Sequence, residues 1–282
     1  MKLVTYTSAG HESRRQSWGV LSGDAIVDMG GHYPTLRAAL AAGALGEIAA
    51  LAKQAKPTIA LSEVTLLPPI PDAEKLFCAG KNYRGHVAEG GAPLPEKPSL
   101  YLRLNNSVVG HGANIVRAKR SSEFDFEGEL AVIIGTGGRH IPQAEALSHI
   151  AGYSIINEAC FRDIQFKHSL TAGKNFLASG GFGPWMVTAD EVGDPTQLML
   201  HTRLNGEEVQ HTRTDDLIFD IPYLISYISG FTALAPGDVI ATGTPEGVGF
   251  ARKPPLWMKA GDVVEVEISK IGLLRNTVID EV

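Results

Sequence analysis

Two glutamates, two residues apart, stand where an apolar run begins in Ser-Glu-Phe-Asp-Phe-Glu-Gly-Glu-Leu-Ala-Val-Ile-Ile-Gly (122–135). Strand side chains alternate faces with period two, so Glu127 and Glu129 aim at one spot. Carboxylates that close repel, and they are costly to desolvate unless a cation joins them. Oxygen-only ligands suit a hard ion such as Mg²⁺ or Mn²⁺, with Ca²⁺ a further option. The plain alternative for this pair is an exposed strand end carrying two solvated acids.

A second cluster follows the apolar run Gly152-Tyr153-Ser154-Ile155-Ile156-Asn157. Glu158 there offers a third carboxylate for the same ion. Arg162 supplies a rigid five-donor fork suited to a substrate carboxylate, with Asp163 as a candidate orienting partner. A surface salt-bridge cluster is the competing reading. A third segment is Gly80-Lys81-Asn82-Tyr83-Arg84-Gly85-His86-Val87-Ala88-Glu89-Gly90-Gly91. His86 and Glu89 are three apart, so one helical turn puts them on one face. A carboxylate bonded to imidazole fixes its tautomer and raises its basicity, and such a pair can activate water. The flanking glycines suit a segment that closes over substrate; an exposed loop His and Glu is the alternative. A fourth segment, Ile240-Ala241-Thr242-Gly243-Thr244-Pro245-Glu246-Gly247-Val248-Gly249, ends a strand in a Gly-rich loop. Its backbone N–H groups and hydroxyls can approach an anion closely. By itself it is a tight turn.

The elements that must position these groups are mostly short strands. KLVTYT (2–7), WGVLSG (18–23) and AIVDMG (25–30) read as strands, followed by helical spacing from Leu36 to Ala55. Residues 1–66 therefore form an expected small N-terminal α/β module. The Pro-rich stretch 67–74 is expected as an extended linker, and 75–282 as the catalytic part. Asn205-Gly206 is a two-residue hairpin signal between LMLHTRL (198–204) and EEVQHTR (207–213). Residues 216–231 carry apolar residues at helical spacing and predict one amphipathic helix. The expected class is α+β and β-rich.

Composition fits this. The 282 residues suffice for one large domain or a large and a small one, at 44% hydrophobic and 20% charged content. A net charge of −6 with no basic tract argues against nucleic acid. No stretch approaches the roughly 18 apolar residues of a membrane helix. MKLVTYTSAG lacks a signal-peptide core. Two cysteines, Cys78 and Cys160, give no disulfide framework, so the expected setting is cytoplasmic with reduced thiols. Neither cysteine has a sequence-local partner that makes it a nucleophile, and no EF-hand spacing points to a structural Ca²⁺ site.

The four segments in this order resemble the fumarylacetoacetate hydrolase family over nearly all of 75–282. The matching motifs are G-x-N-Y-x-x-H-x-x-E around His86, D-F-E-G-E-L around Glu127, R-D-x-Q at Arg162–Gln165 and G-K-N-F at Lys174. G-P-W-M-V-T (183–188) and P-G-D-V-I-A-T-G-T-P-E-G-V-G (236–249) match as well. The resemblance implies a mixed β-sandwich roll, usually a homodimer. It implies metal ligation by Glu127, Glu129 and Glu158, and a His86/Glu89 lid dyad. Lys174 falls near metal and substrate. Arg162, Gln165, Thr244 and Tyr83 fall at substrate or supporting positions, and Arg103 and His111 match a subgroup pattern that faces the cavity. Three positions depart from the usual pattern: Glu158 where Asp is common, Phe161 before the arginine, and Leu177 after Lys-x-Phe. The activity implied is metal-dependent hydrolysis of a C–C bond in a β-diketo acid such as an acylpyruvate or fumarylpyruvate, with a small keto acid as the partner. Decarboxylation, isomerisation or hydration at the same enolate site, and a non-catalytic ligand-binding relative, stand as alternatives.

Overall fold

The computed structural model describes residues 1–8, 16–91 and 93–282. Ala9 and Gly10 of the N-terminal segment read above lie outside the described residues. In chain order the elements begin with β1 (Lys2–Ser8), β2 (Gln16–Ser22), β3 (Ala25–Asp28), α1 (Leu36–Ala41), α2 (Leu45–Gln54), β4 (Ile59–Ala60) and β5 (Val64–Leu66). There follow β6 (Leu76–Gly80), α3 (Arg84–Glu89), β7 (Ser99–Leu102), β8 (Val108–Val109), β9 (Asn114–Arg117), β10 (Phe124–Asp125), β11 (Gly128–Ile134), β12 (Ile150–Asn157) and β13 (Cys160–Phe161). Next come α4 (Arg162–Lys167), α5 (Leu170–Lys174), β14 (Gly180–Thr188), α6 (Ala189–Val192), β15 (Met199–Leu204) and β16 (Glu207–Arg213). The chain closes with α7 (Ile221–Phe231), β17 (Val239–Ala241), β18 (Val263–Ile268) and β19 (Gly272–Asp280).

The strands form a large sheet of order β4-β3-β2-β1-β14-β12-β11-β17-β6-β7, with β5 on β1 and β8 on β14. A five-stranded sheet of order β16-β15-β18-β19-β9 faces it, and β10 pairs with β13 beside the site. This is a strand-rich α+β architecture. The shared core explains the patterning. Leu130, Val132, Tyr153 and Ile155 of the large sheet pack against Leu200, Val266, Ile268 and Leu274 of the smaller one. Because β11 and β12 have covered faces on both sides, every residue of each is buried, which is why they read as continuous apolar runs.

The first 66 residues are joined to the rest by main-chain bonding. Strand β1 pairs with β14 through Lys2↔Val187 and Leu3↔Met186, so it extends the large sheet. Along the Pro-rich stretch, the Leu67 N–H donates to the Thr5 carbonyl at 2.9 Å and the Thr5 hydroxyl to the Pro69 carbonyl at 2.7 Å. The predicted hairpin forms at Asn205-Gly206, both with positive φ. The predicted helix over 216–231 is shorter and covers Ile221–Phe231. Asp220 caps it by accepting from the Tyr223 N–H, Pro222 opens its first turn, and Leu217 instead bridges to Tyr83.

Candidate active site

The register of β11 on β12 builds the floor of the site. Gly128 faces Asn157 and Glu129 faces Ile156. Just beyond, the Glu158 N–H donates to the Glu127 carbonyl at 2.8 Å, and the Glu127 N–H donates to Asn157 Oδ1 at 3.0 Å. Regular strand begins at Gly128, so Glu127 stands at its mouth instead of inside it. Glu127, Glu129 and Glu158 are buried, and each presents an oxygen within 4.8 Å of the others. Glu127 and Glu129 line a cavity of about 110 Å³, whose wall includes Tyr101, Arg162, Gln165, Lys174, Thr244 and Phe250, with His86 above; Glu158, fully buried, is not part of the lining.

The cations are distributed unevenly over the acids. Lys174, at the C-terminus of α5, places Nζ 2.6 Å from Glu127 Oε2 and 2.9 Å from both Glu158 Oε2 and the Glu158 carbonyl. Arg162, which opens α4, donates from Nε to Asp125 at 2.8 Å and from Nη1 to Gln165 at 3.0 Å. Its Nη2 lies 2.6 Å from Glu127 Oε1, a charge contact outside hydrogen-bond alignment. Arg103 holds Glu158 Oε1 at 3.2 Å, and the Tyr101 hydroxyl donates to Glu158 Oε2. Glu129 receives only the Gly243 N–H, at 2.8 Å, and no cation contacts it among the described residues.

The titration behaviour follows this layout. Burial would raise the Glu127 carboxyl, but Lys174 and Arg162 outweigh it and hold it down at about 2. Burial, reinforced by Glu158 and Glu127, pushes the Glu129 carboxyl well above the ordinary carboxylate range. Burial would lower Lys174, but Glu127 and Glu158 outweigh it, so the ammonium stays charged. Four buried carboxylates (Asp125, Glu127, Glu129, Glu158) face three buried cations (Arg103, Arg162, Lys174). The surplus charge falls on Glu129, the acid without a cationic partner. An ion bonded at about 2.0–2.6 Å to each carboxylate spans oxygen separations of the kind found here. The donor set therefore fits a hard divalent ion.

Above the floor, α3 supplies a helical turn that puts His86 and Glu89 on one face. His86 Nδ1 lies 2.9 Å from Glu89 Oε1, and Glu89 Oε2 accepts from the Gly247 N–H at 3.0 Å. The acid thus ties the histidine to the Gly-rich loop. Gly247 has φ +94, and a Cβ there would meet the Val209 carbonyl oxygen at 2.1 Å, so the position requires glycine. The Phe250 ring meets the His86 ring edge-on at 6.3 Å and lies under the Arg162 guanidinium at 4.6 Å.

Several expectations change with the structure in view. Tyr83 does not line the cavity: it is fully buried in the core behind α3, with its hydroxyl unpartnered among the described residues. Arg103 lies behind the wall, where its guanidinium is used by Glu158, Ser107, Ser179 and the Ala159 carbonyl. It holds Glu158 and does not line the cavity. His111 lines a separate groove with Trp185 and Leu66. Asp163 bonds Ser121, and Asp125 orients Arg162 instead. Arg162 itself spends its fork on protein acceptors. Cys78 and Cys160 are free and buried; burial pushes the Cys160 thiol up to about 11, which disfavours a thiolate.

Sequence reading missed Tyr101, Asp125 and Gln210. Tyr101 shares period two with Arg103, and Asp125 shares it with Glu127 and Glu129, so a signal was present. Gln210 carried none. It accepts from the Gly128 N–H and donates to Thr244 Oγ1 and the Pro245 carbonyl.

The description "Fumarylacetoacetate (FAA) hydrolase C-terminal" belongs to the family profile that matches residues 75–279. A protein described as mitochondrial oxaloacetate tautomerase fahd2 from Xenopus laevis is 36% identical over 288 residues, covering 99% of this chain and 90% of its own. Two solved structures each align over 100% of both chains. A fumarylacetoacetate hydrolase from psychrophilic Exiguobacterium antarcticum gives a TM-score of 0.83 at 34% identity. The maleylpyruvate hydrolase of Sphingobium sp. SYK-6, in complex with manganese(II) ion and pyruvate, gives 0.83 at 26%.

Proposed function

The chain belongs to the fumarylacetoacetate hydrolase family, and from that premise we propose that it is a divalent-metal-dependent enzyme of enol chemistry on a short 2-oxo acid. Keto–enol tautomerisation of a β-carboxylated oxo acid such as oxaloacetate is the favoured reaction. The observation that carries this reading is the cavity: about 110 Å³, with His86, Glu127 and Glu129 on its wall and the fully buried Glu158 within 4.8 Å of both acids. That volume is about four waters' share at ~30 Å³ each. It has room for a short oxo acid, with Phe166 and Phe250 beside it. The description of the Xenopus relative agrees with it.

Glu127, Glu129 and Glu158 would hold Mg²⁺ or Mn²⁺, which when bound would supply a Lewis-acid contact to the 2-oxo group. His86, with its Nδ1 proton on Glu89, presents Nε2 as a base. It takes the proton from the carbon next to the carbonyl and returns it to the enol oxygen, and no bond of the carbon skeleton breaks. Lys174, held charged by Glu127 and Glu158, stabilises the negative charge that develops on oxygen. Thr244 and Gln165 line the cavity as hydrogen-bonding groups. Lys81, exposed at the mouth, is placed to meet a second carboxylate.

A second reading is C–C hydrolysis of an acylpyruvate or fumarylpyruvate-like acid. The His86–Glu89 pair supports it, because the same base can take a proton from water. Hydroxide then adds to the distal carbonyl, the C–C bond breaks, and the enolate is protonated to pyruvate. One assay separates the two. Purified protein is given enol-oxaloacetate, acetylpyruvate or fumarylpyruvate, with Mg²⁺, Mn²⁺ or EDTA, beside His86→Ala. Metal-dependent loss of the oxaloacetate enol absorbance, with the acylpyruvates untouched, supports the tautomerase. Pyruvate release from an acylpyruvate moves the assignment to hydrolase. Carbon dioxide release from oxaloacetate moves it to decarboxylase.

A further inference from the structure

We propose that His201, Glu208 and His211 form a second metal site, on the outer face of the β15–β16 hairpin, for a zinc-type divalent ion. His201 and His211 stand directly opposite each other across the strands, with ring centroids 4.3 Å apart. Glu208 Oε2 is 2.7 Å from His201 Nδ1, and Oε1 is 3.4 Å from His211 Nδ1. One ligand atom from each of the three lies within 4.8 Å of the others. The side chains are 26%, 45% and 48% exposed, so an ion in solution reaches them.

A bulge makes the cluster possible. The pairing runs Thr202↔Gln210 and then Arg203↔Glu208, so Val209 is an extra residue. In a regular strand Glu208 and His211 would point to opposite faces. The extra residue reverses the parity, and both reach the outer face while Val209 and Gln210 are both buried. Bulges that re-aim a side chain in this way occur beside functional sites.

The chemistry separates this site from the buried one. Two imidazoles and a carboxylate suit Zn²⁺, Cu²⁺ or Ni²⁺, whereas the all-carboxylate floor suits Mg²⁺ or Mn²⁺. Zinc at about 2.0–2.1 Å from nitrogen and 2.0–2.2 Å from oxygen would replace the present Glu–His contacts and leave one position for water. Such an ion would tie the edge strand β16 to β15. Gln210, next to His211 on the opposite face, supports Thr244, so the tie acts on the strand that backs the catalytic loop.

The test uses the full-length, untagged chain saturated with Mg²⁺ and titrated with Zn²⁺ by calorimetry, beside His201→Ala, His211→Asn and Glu208→Gln. Circular dichroism confirms that each variant is folded. The proposal expects one Zn²⁺ per chain that Mg²⁺ does not displace. That equivalent should disappear, or weaken about tenfold or more, in each histidine variant. Comparison with wild type cancels any zinc taken up at the carboxylate floor. Absence of uptake by the Mg²⁺-saturated wild type overturns the proposal. So does equal stoichiometry and affinity in wild type and both histidine variants.

Discussion

Glu127 and Glu129 differ by two positions and by almost everything else. Glu127 is compensated by Lys174 and Arg162, and Glu129 by a single peptide N–H. Glu127→Gln leaves two buried cations short of charge and should cost about 3–5 kcal/mol in chemical denaturation. Glu129→Gln removes an uncompensated acid and keeps the acceptor for Gly243, so the metal-free fold should be as stable as wild type or more so. Divalent-ion binding should nevertheless be lost in calorimetry. The signs in pH follow from the two shifts. Glu127 lies below its ordinary 4.5, so its stabilisation is present above that value and lost as pH falls through about 2. Glu129 is raised, so the metal-free fold holds a proton that the unfolded chain gives up. Its contribution is present below the ordinary carboxylate value and erodes as pH climbs toward the raised one. Ion binding must expel that proton. Affinity should therefore rise with pH, and calorimetry in buffers of different ionisation enthalpy should show proton release; buffer-independent heats would contradict this. At this scale the acids were legible, because period two and residue type are local. The inward turn of Arg162 toward Asp125 was not, because it is set by a contact 37 residues away.

The elements legible in the sequence were those with local causes. The Asn205-Gly206 hairpin needs only its two central residues. The start of α7 moved because Asp220 and Pro222 outweigh the apolar periodicity before them. The loop contacts over the cavity depend on long-range pairs. Asn82 is fully buried and fixes two of them, donating to the Phe219 and Thr242 carbonyls and accepting from the Phe219 N–H. Asn82→Ala strands these groups and should destabilise the fold by about 3 kcal/mol or more, at ~1–3 kcal/mol per buried group. Gly247→Ala meets both an unfavourable φ and the Val209 carbonyl. Because Gly247 donates to Glu89, the displacement should reach His86. Turnover and the melting temperature should both fall, as parallel kinetics and calorimetry would report; wild-type turnover in the variant would contradict the link to His86.

For the whole molecule, strand order was the part that sequence could not supply. Nothing in KLVTYT states that Lys2 and Leu3 lie against Val187 and Met186, yet that pairing joins the first 66 residues to the large sheet. Leu3, Trp18, Val20 and Val27 share a core cluster with Ala151, Phe182 and Met186. A fragment of residues 75–282 would expose that apolar face and an open edge of β14. It should aggregate on expression, while the full chain should unfold in a single calorimetric transition. If a short oxo acid is enolised between a carboxylate-held ion and His86, its protons next to the carbonyl must exchange with solvent. The most direct measurement is exchange of the 3-position protons of pyruvate in deuterated water, followed by proton NMR, with Mg²⁺ or Mn²⁺ and with EDTA. Exchange should require the metal and fall by about 10²–10⁴-fold in His86→Ala, the range of a lost general base. Exchange that survives His86→Ala undiminished, or that proceeds equally in EDTA, would rule out the proposed enolisation.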